Sequence, residues 1–188
     1  MSSDNIAGME NEENCEIGLS PEDLQRKLYF LNEQLQVMAK DLPLKYQQRL
    51  PHELLCGLAE SLLDNTVFGI VDNLMDIQHV TEKQLFQQRL QFLNKHTLAM
   101  QELAMDTRMD DVAKTKHRTL LQATHRKELQ LFDMKLVNEL DKKVCDQQRI
   151  LEMAGVPGFE VTNDPIKIQV QIRLLDFILR LSQMQVPP

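Results

Sequence analysis

Apolar residues recur at alternating intervals of four and three positions in the first patterned segment of the chain. This first seam consists of Leu24, Leu28, Leu31, Leu35 and Met38. Such spacing is typical of a heptad repeat, in which one apolar face of a helix packs against a partner helix. Ser20 can cap the helix, Pro21 suits its first turn, and Pro43 ends the pattern. We therefore predict a helix from residue 21 that carries a coiled-coil seam.

A second segment is apolar over a wider arc than a coiled-coil seam requires. Its anchors are Val67, Phe68, Ile70, Val71, Leu74 and Ile77. A helix with so wide an apolar arc must be buried, either against its own chain or against a partner. We predict that this short apolar block is a core-packing or partner-binding element.

The middle of the chain is one long run suited to helix, because no Gly or Pro occurs between residues 70 and 154. A straight helix over residues 82–154 would span roughly 110 Å at about 1.5 Å per residue, which is too long for a compact domain. Apolar residues are sparse around residues 106–111. The sequence therefore predicts long helices that form either a coiled coil or a helical hairpin bent near residues 106–111.

The second half of this run carries a second seam. It consists of Leu136, Leu140, Val144 and Leu151. Extra intervals of four interrupt its heptad spacing, which resembles a stutter that locally unwinds a supercoil. Gln147 stands at a core-like position, where it is either a device that sets register or partner choice, or a solvated polar residue at a loosened seam. We favour the second interpretation.

The last patterned segment follows residues 155–158, where Gly and Pro end the preceding helix. Residues 166–172 alternate like a strand, yet their apolar positions also fit one face of a helix. We predict a helix, because Asn163 or Asp164 can cap a helix that starts at Pro165, and no second strand is available for pairing.

These patterns describe an all-α chain with two parts. Residues 1–19 contain five acidic residues and no Lys or Arg. We predict a disordered acidic tail there, because so little apolar surface cannot offset the entropy lost on ordering. Residues 20–188 are predicted to form one helical coiled-coil domain. The composition also favours an all-α chain, because aromatic residues make up only 5% of it and sheet cores usually use many large aromatics.

The formal net charge of −7 argues against a general nucleic-acid binder, which needs a basic surface. Residues 114–127 form the one basic segment. It is either a solvated helix face or a patch that contacts nucleic acid, and the first is the simpler interpretation. No run approaches the roughly 18 apolar residues of a membrane span, and the acidic start is unlike a secretory signal. We expect an intracellular protein without a membrane segment.

Candidate chemistry is sparse in this sequence. The five histidines are scattered, and none has a second His or Cys at metal-ligand spacing. Three widely spaced cysteines suggest neither a disulfide framework nor a zinc site, and no Gly-rich phosphate loop occurs. We therefore expect no catalytic residues, no metal, no cofactor and no small-molecule substrate, and we predict that the chain is not an enzyme.

Two stretches resemble the gonadal protein family, which includes vertebrate DiGeorge-critical-region relatives. The family's hallmark region is similar to LPLKYQQRLPHELLCGLAESLLDNTVFGIVDNLMDIQHVTEKQLFQQRL, residues 42–90. Its closing block is similar to ELDKKVCDQQRILEMAGVPGFEVTNDP, residues 139–165. The resemblance implies a coiled-coil developmental protein, associated with the germ line or with embryonic tissue and in some members mainly nuclear. It implies no catalytic residue set.

The resemblance and the seams together favour a non-enzymatic coiled-coil adaptor or scaffold that acts in gametogenesis or development. Its expected partners are proteins, including a second copy of the chain as a homodimer, and its expected location is the nucleus, the cytoplasm or both, with the resemblance favouring the nucleus. The alternative is a nuclear regulatory protein that contacts nucleic acid or chromatin factors through residues 114–127.

Overall fold

The computed structural model describes residues 20–185, and these residues form six helices without a strand. The helices are α1 (Pro21–Lys40), α2 (Leu44–Gln47), α3 (His52–Ser61), α4 (Thr66–Met105), α5 (Asp111–Met153) and α6 (Pro165–Ser182). The prediction of an all-α chain is confirmed for this part of the sequence. The acidic tail predicted over residues 1–19 lies outside the described residues.

The core lies where α1, α3 and α6 meet the first turns of α4 and the end of α5. Leu35 of α1, Leu58 of α3 and Phe177 of α6 are fully shielded from solvent there. Burying one such side chain contributes about 1.5–3 kcal/mol. This bundle is therefore the stable base from which the longer helices extend.

The first seam packs inside this bundle rather than along a parallel partner helix. Leu31, Leu35 and Met38 are buried, Leu28 is half-buried, and Leu24 is 38% exposed near the helix start. The predicted helix is confirmed, but its contacts are with α3 and α6 of the same chain. Intervals of four and three describe any amphipathic helix face, and so they do not by themselves specify a coiled coil.

The apolar block occupies the first turns of α4 and mostly belongs to the core. Its buried or half-buried members are Val67, Phe68, Ile70, Val71 and Leu74. Ile77, by contrast, is 54% exposed, because α4 has left the bundle by that turn. Five of the six predicted anchors therefore pack against their own chain.

Helices α3 and α4 meet at 91°, and a buried lysine supports this turn. Asn65 adopts a φ of 64° at the start of α4. Lys27 of α1 is 5% exposed and donates from Nζ to the Leu63 carbonyl at 2.7 Å and to Asn65 Oδ1 at 2.9 Å. It thereby satisfies a carbonyl just beyond the end of α3. Burial lowers the pKa of Lys27, and the charge of Asp64 opposes that shift.

The connection between α5 and α6 is held by a buried pair of amide side chains. Gln148 Nε2 donates to Gln171 Oε1 at 2.9 Å, and Gln171 Nε2 donates to the Glu160 carbonyl at 2.9 Å. The backbone N–H of Thr162 donates to Gln148 Oε1 at 3.2 Å. These bonds satisfy the polar groups of a segment that folds back onto the core.

The final segment is the predicted helix, α6. Asp164 caps it by accepting a hydrogen bond from the Ile166 N–H at 2.8 Å. Its core-facing side chains are Val170, Leu174, Phe177, Ile178 and Leu181. The strand-like alternation near its start does not decide the structure, because a cap and a helical apolar face outweigh it.

Helices α4 and α5 form an antiparallel hairpin that extends from the bundle. With 40 and 43 residues, each helix is about 60 Å long at about 1.5 Å per residue. In the connection, Asp106 accepts from the Arg108 N–H at 2.9 Å, and Asp110 caps α5 by accepting from the Ala113 N–H at 3.0 Å. The chain bends where the sequence predicted, and of the two predicted arrangements it has the hairpin.

No single helix among the described residues is long and apolar enough to cross a membrane. Helices α3 and α4 meet the requirements of length and composition only when they are taken together across their 91° turn.

Candidate functional site

The inner faces of the hairpin repeat at intervals of three, four and four residues. The half-buried positions include Gln78, Thr81, Leu85, Arg89, Phe92, His96, Met100 and Leu103 on α4, and Leu121, His125, Leu129, Phe132, Leu136, Lys143 and Gln147 on α5. Eleven residues in three turns give about 3.67 residues per turn, close to the 3.6 of a straight α-helix. The inner faces therefore follow a regular eleven-residue pattern, in which Leu136 of the second seam takes part.

An ion pair crosses the hairpin near its middle. Arg89 of α4 donates to Asp133 of α5 from Nε at 2.8 Å and from Nη2 at 3.1 Å. This two-point geometry fixes the relative position of the helices better than a single contact does. The hydrogen bond and charge of Arg89 lower the pKa of Asp133, and those of Asp133 raise the pKa of Arg89.

An aromatic and histidine layer lies next to this ion pair, toward the connection. The rings of Phe92 and Phe132 stack with centroids 4.4 Å apart, and those of His96 and His125 stack at 3.9 Å. Glu128 Oε2 lies 3.2 Å from His96 Nε2. Burial lowers the pKa of His125, His96 lowers it further, and Glu128 opposes the shift. The two histidines are 29 positions apart in sequence, so spacing alone did not reveal their contact.

A pair of amide side chains crosses the hairpin near the bundle. Gln147 of α5 is half-buried and donates from Nε2 to Gln78 Oε1 of α4 at 2.9 Å. The interpretation of Gln147 as a solvated residue is therefore wrong. Because its partner is a single polar group on the facing helix, the contact favours one register of α4 against α5.

The outer face of α5 carries a continuous strip of exposed apolar side chains. This outer strip consists of Met134, Val137, Leu140 and Val144, which are 57%, 54%, 36% and 38% exposed. At about 100° per residue, the four positions fall within about one third of the helix circumference. Two of them, Leu140 and Val144, belong to the second seam, whereas Leu136 lies half-buried in the hairpin and Leu151 is buried in the bundle.

The chain matches, over residues 4–188, the family described as "DiGeorge syndrome critical region 6 (DGCR6) protein". It belongs to the DGCR6 family. It is 42% identical over 170 residues to "Gonadal protein gdl" of Drosophila melanogaster, which covers 90% of this chain and 87% of that protein. It is 40% identical over 171 residues to "Protein DGCR6" of Gallus gallus, which covers 85% of this chain and 86% of that one. The resemblance seen in the sequence is confirmed. No solved structure matches this chain.

One cysteine of this DGCR6-family chain lies beside a histidine. Cys56 Sγ is 3.5 Å from Nε2 and 3.7 Å from Nδ1 of His52, and it is 3.6 Å from Asn32 Oδ1. Because the sulfur is almost equally far from both ring nitrogens, neither nitrogen points its lone pair at the thiol. A nucleophilic cysteine needs a base aligned with it, and this arrangement does not supply one.

The basic segment, residues 114–127, forms the part of α5 nearest the connection. Its side chains Lys116, Arg118, Arg126 and Lys127 are exposed, while Lys114 is half-buried and donates to the Ala104 carbonyl at 3.4 Å. In this DGCR6-family chain the exposed cations lie on several sides of the helix. That distribution fits the solvated helix face better than a patch aimed at one nucleic-acid groove.

Proposed function

We propose that this DGCR6-family protein is a non-enzymatic adaptor whose hairpin assembles, coiled-coil fashion, with the hairpin of a second copy of the chain. The observation that carries this proposal is the outer strip of α5. Its four large apolar side chains are exposed on one side of one helix. Contiguous apolar surface of this kind is typical of protein interfaces.

The hairpin of a single chain buries little apolar surface. Over residues 75–147, no described side chain is fully buried. Helices in proteins owe most of their stability to packing of an apolar face, and a two-helix hairpin provides only one narrow contact. Two hairpins packed together would form a four-helix bundle, which buries a second face of each helix. Self-assembly therefore supplies the burial that the single hairpin lacks.

Charge permits this pairing. Helices α4 and α5 contain twelve Lys and Arg against eleven Asp and Glu, and the connection adds Asp106, Arg108 and Asp110, so the hairpin has no formal net charge within a chain of −7. Two hairpins therefore do not repel each other through net charge, whereas the rest of the chain is acidic. Along the strip, Arg126 and Lys127 lie at one end and Asp141 at the other. Two antiparallel copies would bring opposite charges together, as a two-fold interface requires.

The proposed setting is germ-line or other developmental tissue, and the proposed location is the nucleus, the cytoplasm or both. Its support is family membership, because one relative is named a gonadal protein and the family description refers to the DiGeorge syndrome critical region. Imaging of a fluorescently tagged chain in germ-line cells tests the location, and depletion followed by fertility counts tests the role. A purely extracellular signal, or normal fertility and development after complete depletion, would contradict this proposal.

Co-expression of two differently tagged copies tests the assembly proposal. We expect one tag to recover the other for the unaltered chain. The double variant Val137→Glu, Leu140→Glu should abolish recovery, because it places four carboxylates in the paired strips. Leu131→Glu is the matched control, since Leu131 is 53% exposed on the same helix but faces another side. Recovery that survives the double variant, or that Leu131→Glu abolishes equally, would overturn the proposal.

A further inference from the structure

One layer of the hairpin collects three groups that bind metal ions. The rings of His96 and His125 are stacked, with 9° between their planes, and Glu128 Oε2 lies 3.2 Å from His96 Nε2. One ligand atom from each residue lies within 4.8 Å of the other two. We propose that this layer is a binding site for a divalent transition-metal ion, Zn²⁺ above all, that joins α4 to α5.

The donor set suits zinc. Two imidazole nitrogens and one carboxylate oxygen occur together in protein zinc sites, with water at the remaining position. Zinc holds such ligands at about 2.0–2.2 Å, so the ligand atoms have to approach to roughly 3.4 Å of one another in a tetrahedron. They start within 4.8 Å of one another. To bind one ion, the nearly parallel rings of His96 and His125 have to tilt so that a lone pair of each ring points at the metal.

The two helices share the ligands in a way that favours chelation. His125 and Glu128 are three residues apart on α5 and therefore project from the same face of that helix. His96 approaches from α4. Metal sites of helical bundles use this arrangement, in which a His and a carboxylate at such spacing face ligands from another helix. An ion held here would link residues that only the hairpin brings together.

The surroundings order the site and leave it an entrance. The ring of Phe92 packs against that of His96 at 4.2 Å between centroids and also stacks on Phe132. The side chain of His96 is only 13% exposed, whereas that of Glu128 is 52% exposed. Aromatic rings therefore close one flank, and an ion can enter beside the carboxylate. An apolar shell of this kind limits the access of solvent to a metal site.

Zinc titration of the full-length, reduced and chelator-treated protein tests the proposal, with calorimetry for affinity and a thermal melt for stability. We expect one ion per chain and a melting temperature that rises with zinc. His96→Ala and His125→Ala should each weaken binding at least tenfold. Glu128→Gln keeps the size of the side chain and its hydrogen-bonding capacity, so it tests the carboxylate in a folded protein and should also weaken binding at least tenfold.

Two controls separate this site from adventitious binding. His79→Ala and His117→Ala remove exposed histidines of the same two helices and should leave the affinity unchanged. Thiolates bind zinc strongly, so the second control replaces Cys15, Cys56 and Cys145 by Ser to exclude binding at the cysteines. This replacement should also leave the zinc affinity unchanged. Absence of saturable binding, equal affinity in Glu128→Gln, or an equal loss in either control would overturn the proposal.

Discussion

A few polar side chains hold the joints of this helical bundle. Lys27 bonds to both sides of the turn between α3 and α4, and Gln148 and Gln171 hold the segment that joins α5 to α6. All three are nearly inaccessible to solvent. Their partners are distant in sequence, and therefore no local pattern could predict their roles. Each is costly to leave without a partner, because a buried polar group that loses its hydrogen bond is not resolvated.

Lys27→Met tests the turn between α3 and α4. The free energy of unfolding should fall by about 1–3 kcal/mol, because the partly buried Leu63 carbonyl and Asn65 Oδ1 lose their donor. Urea denaturation followed by circular dichroism measures the loss. Lys40→Met is the control, since Lys40 is exposed at the end of the same helix, and its effect should stay within about 0.5 kcal/mol. Equal effects of the two variants would contradict the role of Lys27.

Gly158→Ala tests the return of the chain onto the core. Gly158 has a φ of +85°, and a Cβ added there would lie 2.6 Å from Leu174 Cδ1. The substitution should lower the free energy of unfolding by at least about 1–3 kcal/mol, since strain and overlap add. Gly69→Ala is the opposite case, because it lies within α4 with no atom within 4 Å. Gly69→Ala should raise the free energy of unfolding by about 0.5–1 kcal/mol. Chemical denaturation that finds Gly158→Ala more stable than Gly69→Ala would contradict these roles.

Single helices were well predicted, but their partners were not. The bend near residues 106–111 and the cap of α6 were visible because turns and caps have local sequence signals. The first seam did not become a coiled coil, since its spacing also fits the core of a bundle. The contact of His96 with His125 could be found only by placing α4 against α5 in the right register. The interval of three, four and four was the available signal for that register.

The ion pair across the hairpin predicts a specific pH dependence. Arg89 lowers the pKa of Asp133, so the folded protein keeps this carboxylate charged at a pH where an unfolded Asp, with a pKa of about 3.9, takes up a proton. Its contribution to stability is complete well above that value and is lost as the pH falls through the lower folded pKa. In an NMR titration, Arg89→Gln should raise the pKa of Asp133, and Lys83→Gln should not. An unchanged pKa in Arg89→Gln would count against the pair.

The apolar block at the start of α4 gives a second prediction for this element. Leu74→Asp should lower the free energy of unfolding by at least about 3 kcal/mol, and Phe68→Asp should also destabilise the protein, because each buries a charge without a partner. Ile77→Asp serves as the control, since Ile77 is mostly exposed. Thermal melts of the three variants show whether Leu74→Asp and Phe68→Asp lower the melting temperature more than Ile77→Asp does. A melting temperature that Leu74→Asp leaves unchanged would show that the block is not core.

The whole molecule combines a bundle that contains the core with a hairpin that leaves most of its surface exposed. The bundle contains every fully buried residue among those described, and the hairpin beyond Ile77 extends roughly 45 Å away from it at about 1.5 Å per residue. Apolar side chains, a nearly neutral charge and an antiparallel register together make the hairpin the part of the chain suited to assembly. A partner other than a second copy would use the same strip, and it would then compete with self-association.

The solution mass of the whole chain, measured by light scattering at micromolar concentration, shows whether two copies assemble through their hairpins. We predict a dimer with twice the chain mass of 21.8 kDa, because paired hairpins bury the outer strips of both copies. A single chain mass that persists as the concentration is raised would contradict it. The outer strip would then not bind a second copy of the chain, and the proposal of self-assembly through the hairpin would be wrong.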